Sequence, residues 1–140
     1  MANPANTTAA PLFEDGRQYV NVTENKTLGI TDQGIVQNVV ADGITITLPA
    51  TVVGYSYTVR NGGVPKTNAA AGTGDDGSVQ VAVSPNASDL IAGNGFTAAD
   101  NKDALNTKAT ARVGDEVSIV GNGTTGWNIT SVKGTWAREA

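Results

Sequence analysis

The large apolar residues of this chain recur at every second position along short runs, and glycine, proline or asparagine breaks each run within a few residues. Ile44, Ile46 and Leu48 alternate with Thr45 and Thr47; Tyr55, Tyr57 and Val59 alternate with Ser56 and Thr58; Val79, Val81 and Val83, then Val117 and Ile119, repeat the pattern. Successive side chains of an extended chain point to opposite faces, so such runs put apolar groups on one face of a β-strand and polar groups on the other. With 17 glycines and 5 prolines spread among the runs, the chain is restricted to many short strands joined by tight turns. That pattern predicts an all-β sandwich or barrel.

Strands are expected over residues 19–23, 35–40, 44–48, 55–60, 79–83 and 116–120. Asp42-Gly43 reads as a type I′ turn that makes a hairpin of the second and third, and Pro49, lacking an amide hydrogen, ends the third. Thr97-Ala98-Ala99-Asp100 matches the acidic variant of a capping box and predicts a short helical turn. Thr110 and Arg112 suggest an edge strand within 107–113; Trp127, Ile129 and Ser131 are assigned to one face, and 132–136 to a closing strand or bulge. Uneven spacing between the turns argues against a solenoid. The expected fold is a small β-sandwich or barrel, jelly-roll-like, forming a single domain over 19–140 with Gly-rich loops and a long exposed loop around 62–78.

Residues 1–18 differ in texture. They are rich in Ala, Asn, Thr and Pro, with Leu12 and Phe13 as the sizeable apolar side chains. So little area does not offset the entropy of ordering, which predicts an extended arm that orders against another surface, with Leu12 and Phe13 as its anchors.

The chain has no cysteine and no histidine. This removes thiolate and imidazole metal ligands, disulfides and the usual neutral-pH general base. Asp32, Asp42, Asp75, Asp76 and Asp115 lie near glycine, where solvated turns explain them; Asp75-Asp76 is a weak echo of a calcium loop. No phosphate-binding glycine loop is present. The reading is of a non-enzyme with no catalytic residues, no metal and no cofactor. A formal net charge of -4 without a basic cluster argues against a nucleic-acid partner, and no apolar run is long enough for a membrane span. The start, Met1-Ala2-Asn3-Pro4, lacks the basic and apolar regions of a secretory signal. Trp127 is read as core; Trp136 is divided between core edge and subunit contact.

The run Gly43-Ile44-Thr45-Ile46-Thr47-Leu48-Pro49-Ala50, then Gly54-Tyr55-Ser56-Tyr57-Thr58-Val59-Arg60-Asn61, Val83-Ser84-Pro85, Gly114-Asp115-Glu116-Val117-Ser118-Ile119-Val120 and Gly126-Trp127, resembles small β modules of tailed-bacteriophage virion proteins. Head decoration proteins and tail-fibre segments both contain such text, over about residues 25 to 136, and the short chain favours decoration. The resemblance implies a cement protein on the outer capsid surface that stabilises the head. It also implies the major capsid protein as partner and a homo-oligomer, trimer favoured over dimer. Leu12, Phe13 and Trp136 are the expected capsid or subunit contacts. The alternative is a tail or fibre module that binds a receptor or carbohydrate.

Overall fold

Eleven strands form among the described residues of this computed structural model, which comprise 16–64 and 77–140. They are β1 (Gln18–Val22), β2 (Lys26–Thr27), β3 (Ile35–Val39), β4 (Ile44–Thr47), β5 (Ser56–Asn61), β6 (Val81–Ser84), β7 (Leu90–Ala92), β8 (Ala104–Asn106), β9 (Glu116–Gly121), β10 (Gly126–Lys133) and β11 (Ala137–Arg138). The anchors Leu12 and Phe13, the Asp75-Asp76 pair and most of the loop expected around 62–78 lie outside the described residues. The protein is all-β, as the alternation requires. A six-stranded sheet has the order β1-β3-β5-β9-β10-β7, and a five-stranded sheet the order β11-β8-β6-β4-β2.

The path between the sheets departs from expectation. β1, β3 and β5 pair parallel in the first sheet, while β2, β4 and β6 pair parallel in the second. The first six strands therefore wind as three coils, crossing from sheet to sheet after every strand. This is a short solenoid-like start, and parallel pairing of this kind is not jelly-roll connectivity, which is antiparallel. The coils differ in length: Gln18 faces Ile35, but Val36 faces Thr58. No fixed sequence period could reveal them. From β8 onward antiparallel pairs dominate, β8 on β6, β9 on β5, β10 on β9 and β11 on β8, while β10 also takes β7 as a parallel edge partner.

Four local expectations are corrected. Asp42-Gly43 does turn the chain, with Gly43 at φ +73, but it carries the chain to the other sheet. β3 already has β1 and β5 on its two edges, so none is left for β4. The turn instead bonds to the residue before β6: Gly43 N donates to Gln80 O and Gln80 N to Asp42 Oδ1, at 3.1 and 2.8 Å. No helical turn forms at Thr97, because Asp100 bridges to Leu90 and Asn101 N donates to Asp89 O. Residues 104–106, needed to extend a helix, are spent as β8. Thr110 and Arg112 belong to turns: Thr110 N and Ala111 N both donate to Thr107 O, and Asp115 N to Arg112 O. Ser131 faces away from Trp127 and Ile129, since a bulge between Ile129 and Ser131 resets the alternation against β9.

One apolar cluster draws on both sheets: Val22, Val39, Tyr57, Val59, Val117, Ile119, Trp127 and Ile129 from the first, Ile44, Ile46, Val81, Val83 and Ala104 from the second. Each fully buried Val, Leu or Ile contributes about 1.5–3 kcal/mol relative to exposure. Trp127 lies 5.5 Å from Tyr57, ring centre to ring centre, tilted by 52°. The Tyr57 hydroxyl donates to Gly29 O at 2.9 Å, whereas the buried Trp127 N–H has no acceptor among the described residues. Shape, not hydrogen bonding, therefore holds the indole.

A polar clasp ties the sheets at the end where β5 finishes. Asn61 and Asn106 are both fully buried. Asn61 Nδ2 donates to Val79 O and Asn106 Oδ1, at 2.6 and 2.7 Å; Asn106 Nδ2 donates to Asp115 Oδ2 and Thr135 O, both at 2.9 Å. Arg112 N also donates to Asp115 Oδ2. Asp115 is 5% exposed, so the expectation of a solvated turn is corrected: its carboxylate is a buried acceptor that fixes the 107–115 segment against β8. A Cβ on Gly134, at φ +87, would meet that carboxylate, so this turn requires glycine.

Candidate interaction surfaces

The strand registers sort the first sheet into two faces. Tyr57, Val59, Val117 and Ile119 face the core. The residues between them, Thr58, Arg60, Glu116 and Ser118, face outward with Tyr19, Asn21, Val36 and Asn38. The bulge adds Ser131 and Lys133 to this outer face, opposite Ser118 and Glu116.

Outward side chains of neighbouring strands bond to one another across the ladder. Asn38 Nδ2 donates to Asn21 Oδ1 at 3.0 Å, and Arg60 Nη1 donates to Asn38 Oδ1 at 2.8 Å. Thr58 and Ser118 hydroxyls are 2.9 Å apart. Arg17 Nη1 donates to both carboxylate oxygens of Glu116 at 2.9 Å, and its Nη2 to the Tyr19 hydroxyl at 2.6 Å. The Tyr19 ring has two guanidinium groups over it, Arg17 at 5.2 Å and Arg60 at 5.5 Å, each worth roughly 0.5–1 kcal/mol at a partly exposed site. Tyr19 and Val36 are consequently buried although they face outward. The face is polar, carries Arg17, Arg60 and Lys133 against Glu116, and is fixed by contacts among its own side chains. A Cβ at Gly62 would strike Asn38.

Sequence alternation placed Tyr19, Thr58 and Arg60 in strands but did not bring them together. Asn21, Asn38 and Arg60 meet only because β1, β3 and β5 lie parallel and in register. Equivalent outward positions on three successive strands are the signal, and they can be aligned only once the sheet order is known.

The other expected site residues are placed as follows. Trp127 is fully buried, and Trp136 is 8% exposed within the core cluster, its N–H donating to Lys133 O at 3.2 Å. Neither indole offers an open ring face on which a sugar could stack, and only the small exposed part of Trp136 is left for a neighbour. Asp32 accepts from Lys26 Nζ at 2.9 Å and from Gly29 N at 2.8 Å, stapling the turn of residues 30–32. Asp42 is held below the ordinary carboxylate range by the Gln80 amide, which outweighs the opposing effect of burial, with Lys108 assisting. Burial pushes the Asp103 carboxyl up, assisted by Glu139, and burial also raises the Tyr57 phenol. A cleft of about 320 Å³ is lined by residues 21–26 at the β1–β2 turn. Among the described residues no group of three or more His, Cys, Asp or Glu could hold a metal ion, and no helix is long and apolar enough to cross a membrane.

Comparison of the chain with protein-family models, curated proteins and solved structures finds no match.

Proposed function

We propose that this chain is a virion structural protein that binds the outer surface of a tailed-phage capsid as a decoration or cement protein and stabilises the head. The observation that carries the reading is the interlocked outer face of the six-stranded sheet. Its side chains are tied to each other before any partner arrives, from Asn21 through Asn38 to Arg60 and from Arg17 to Glu116. A preorganised face loses less side-chain entropy on docking, which suits a protein whose work is contact. Its excess of Arg and Lys on an otherwise acidic chain favours an acidic protein surface, here that of the major capsid protein.

In this reading the two sheets form a β-sandwich platform, residues 1–15 add a second grip through Leu12 and Phe13, and the protein acts as a homo-oligomer, trimer favoured. The resemblance of residues 43–50, 54–61, 83–85, 114–120 and 126–127 to phage virion modules supports the same class. Purified capsids lacking the protein provide the test. The full chain is expected to bind them and to raise their resistance to heat, Arg60→Glu to lower occupancy, and deletion of residues 2–16 to weaken binding while the body stays folded. Equal occupancy for all three proteins, or none for the full chain, overturns the reading.

A further inference from the structure

Asparagine is followed by glycine at three places in the chain, Asn61-Gly62, Asn94-Gly95 and Asn122-Gly123. An asparagine in this pairing has a nucleophile at hand. The main-chain nitrogen of the next residue can attack the side-chain amide carbon, and glycine, without a Cβ, neither blocks the approach nor restricts the backbone rotation it needs. Whether the ring closes then depends on how firmly the fold holds the amide and that nitrogen, and the three places differ in this.

Asn61 is fully buried. Its Nδ2 is engaged by Val79 O and Asn106 Oδ1, and Gly62 N donates to Val39 O at 2.8 Å. Asn122 is fastened as well. Its Oδ1 accepts from the main-chain nitrogens of Thr124, Thr125 and Gly126 at 2.9, 2.9 and 3.0 Å, its Nδ2 donates to Thr125 Oγ1, and Gly123 N donates to Thr51 Oγ1 at 3.0 Å. Ring closure at either place would first break the bond that holds the attacking nitrogen. At Asn94-Gly95, neither the side-chain amide nor Gly95 N has a hydrogen-bond partner among the described residues. Both residues are exposed, and nothing lies within 4 Å of the point where a Cβ of Gly95 would stand. They are the central pair of a tight turn, at φ +50 and +87, closed by Phe96 N donating to Gly93 O at 3.0 Å.

We propose that Asn94 is a self-modification site of the folded protein, cyclising on Gly95 and opening to aspartate and isoaspartate, while Asn61 and Asn122 stay intact. The Gly95 nitrogen bonds to Asn94 Cγ, the Cγ–Nδ2 bond breaks, and Nδ2 leaves as ammonia with the proton that Gly95 N gives up. Water then adds to one of the two carbonyls of the cyclic imide and opens it. Either product puts a new carboxylate on the turn. Isoaspartate also routes the main chain through Cβ, and the added atom disrupts the bond from Phe96 N to Gly93 O. Phe96 packs against the apolar cluster, and Gly93 lies close to β10, its Cβ position 3.3 Å from Ile129 O. The lengthened turn therefore loosens Phe96 from the core. The modification needs no partner, so it stands whether or not the protein binds capsids.

The folded full chain, held in mildly alkaline buffer and sampled over time, provides the test. Trypsin cuts after Arg60, Lys66, Lys102, Arg112 and Lys133 put the three places in separate peptides. Mass spectrometry reads the conversion of amide to acid in each, fragment spectra assign the residue, and enzymatic methylation detects isoaspartate. Position 94 is expected to convert about 10-fold faster than 61 or 122, the effect of roughly one net hydrogen bond. In denaturant the three rates are expected to converge, because the fold no longer holds Asn61 and Asn122. Asn94→Gly, which suits the positive φ, is expected to remove the isoaspartate signal of the folded protein. An Asn94 that stays intact in the folded chain, conversion at 61 or 122 at a matching rate, or a difference that persists in denaturant would overturn the proposal.

Discussion

Asn106 illustrates how much of this fold depends on a few buried polar side chains. It bridges β8 to Asn61 on β5, and also to Asp115 and Thr135. Asn106→Ala is expected to destabilise the protein by about 2–4 kcal/mol, toward the upper end because it strips a donor from a buried carboxylate; the midpoint of urea unfolding measures it. Two further carboxylates give opposite pH signatures. Asp42 has a folded pKa below its unfolded value, so its contribution is present above about pH 4 and is lost as pH falls through the folded value. Asp103 has a folded pKa above its unfolded value, so its contribution is complete below the unfolded value and is lost as pH rises through the folded one. At neutral pH the ionised Asp103 therefore costs stability. Asp103→Asn is expected to raise the urea midpoint at pH 7 and to leave it unchanged near pH 3; a gain of equal size at both pH values would refute this assignment.

Element pairing can be read directly by crosslinking, because the chain has no cysteine of its own. Asn21 and Asn38 are register partners on adjacent parallel strands, within the Cα separation that a disulfide spans. Asn21→Cys with Asn38→Cys is expected to oxidise within one chain and to stabilise it by about 3 kcal/mol, the value for a loop of roughly 15 residues. A hairpin over Asp42-Gly43 would instead put Asn38 opposite Thr47, so Asn38→Cys with Thr47→Cys separates the two arrangements; it is expected not to crosslink. This contrast also marks what was legible in the sequence. Ile44, Ile46, Tyr57, Val59, Val117 and Ile119 announce their strands and their buried faces, because alternation is a local property. Whether β3 pairs with β4 or with β1 is decided by competition among distant edges, and Asp42-Gly43 looks the same in either case. The outer ladder was hidden for that reason, while β2, β7, β8 and β11, at two or three residues each, are too short for any period to register.

Across the whole molecule, charge and apolar area are segregated. The chain is acidic, with a formal net charge of -4, yet among the described residues the outer face of the first sheet sets Arg17, Arg60 and Lys133 beside Glu116. The apolar grip of the capsid reading, Leu12 and Phe13, belongs to a different part of the chain. The two should act on different steps of binding. Charges steer the approach and are screened by salt, whereas buried apolar contacts set how long a complex survives. Arg60→Gln with Lys133→Gln is therefore expected to slow association with capsids by about 3-fold to 10-fold at low salt, with little effect at high salt. Deletion of residues 2–13 should chiefly shorten the lifetime of the bound state. Surface-based kinetics on immobilised capsids at two ionic strengths would separate the two effects, and an association rate that ignores both salt and the Arg60 and Lys133 changes would remove the outer face from the docking surface.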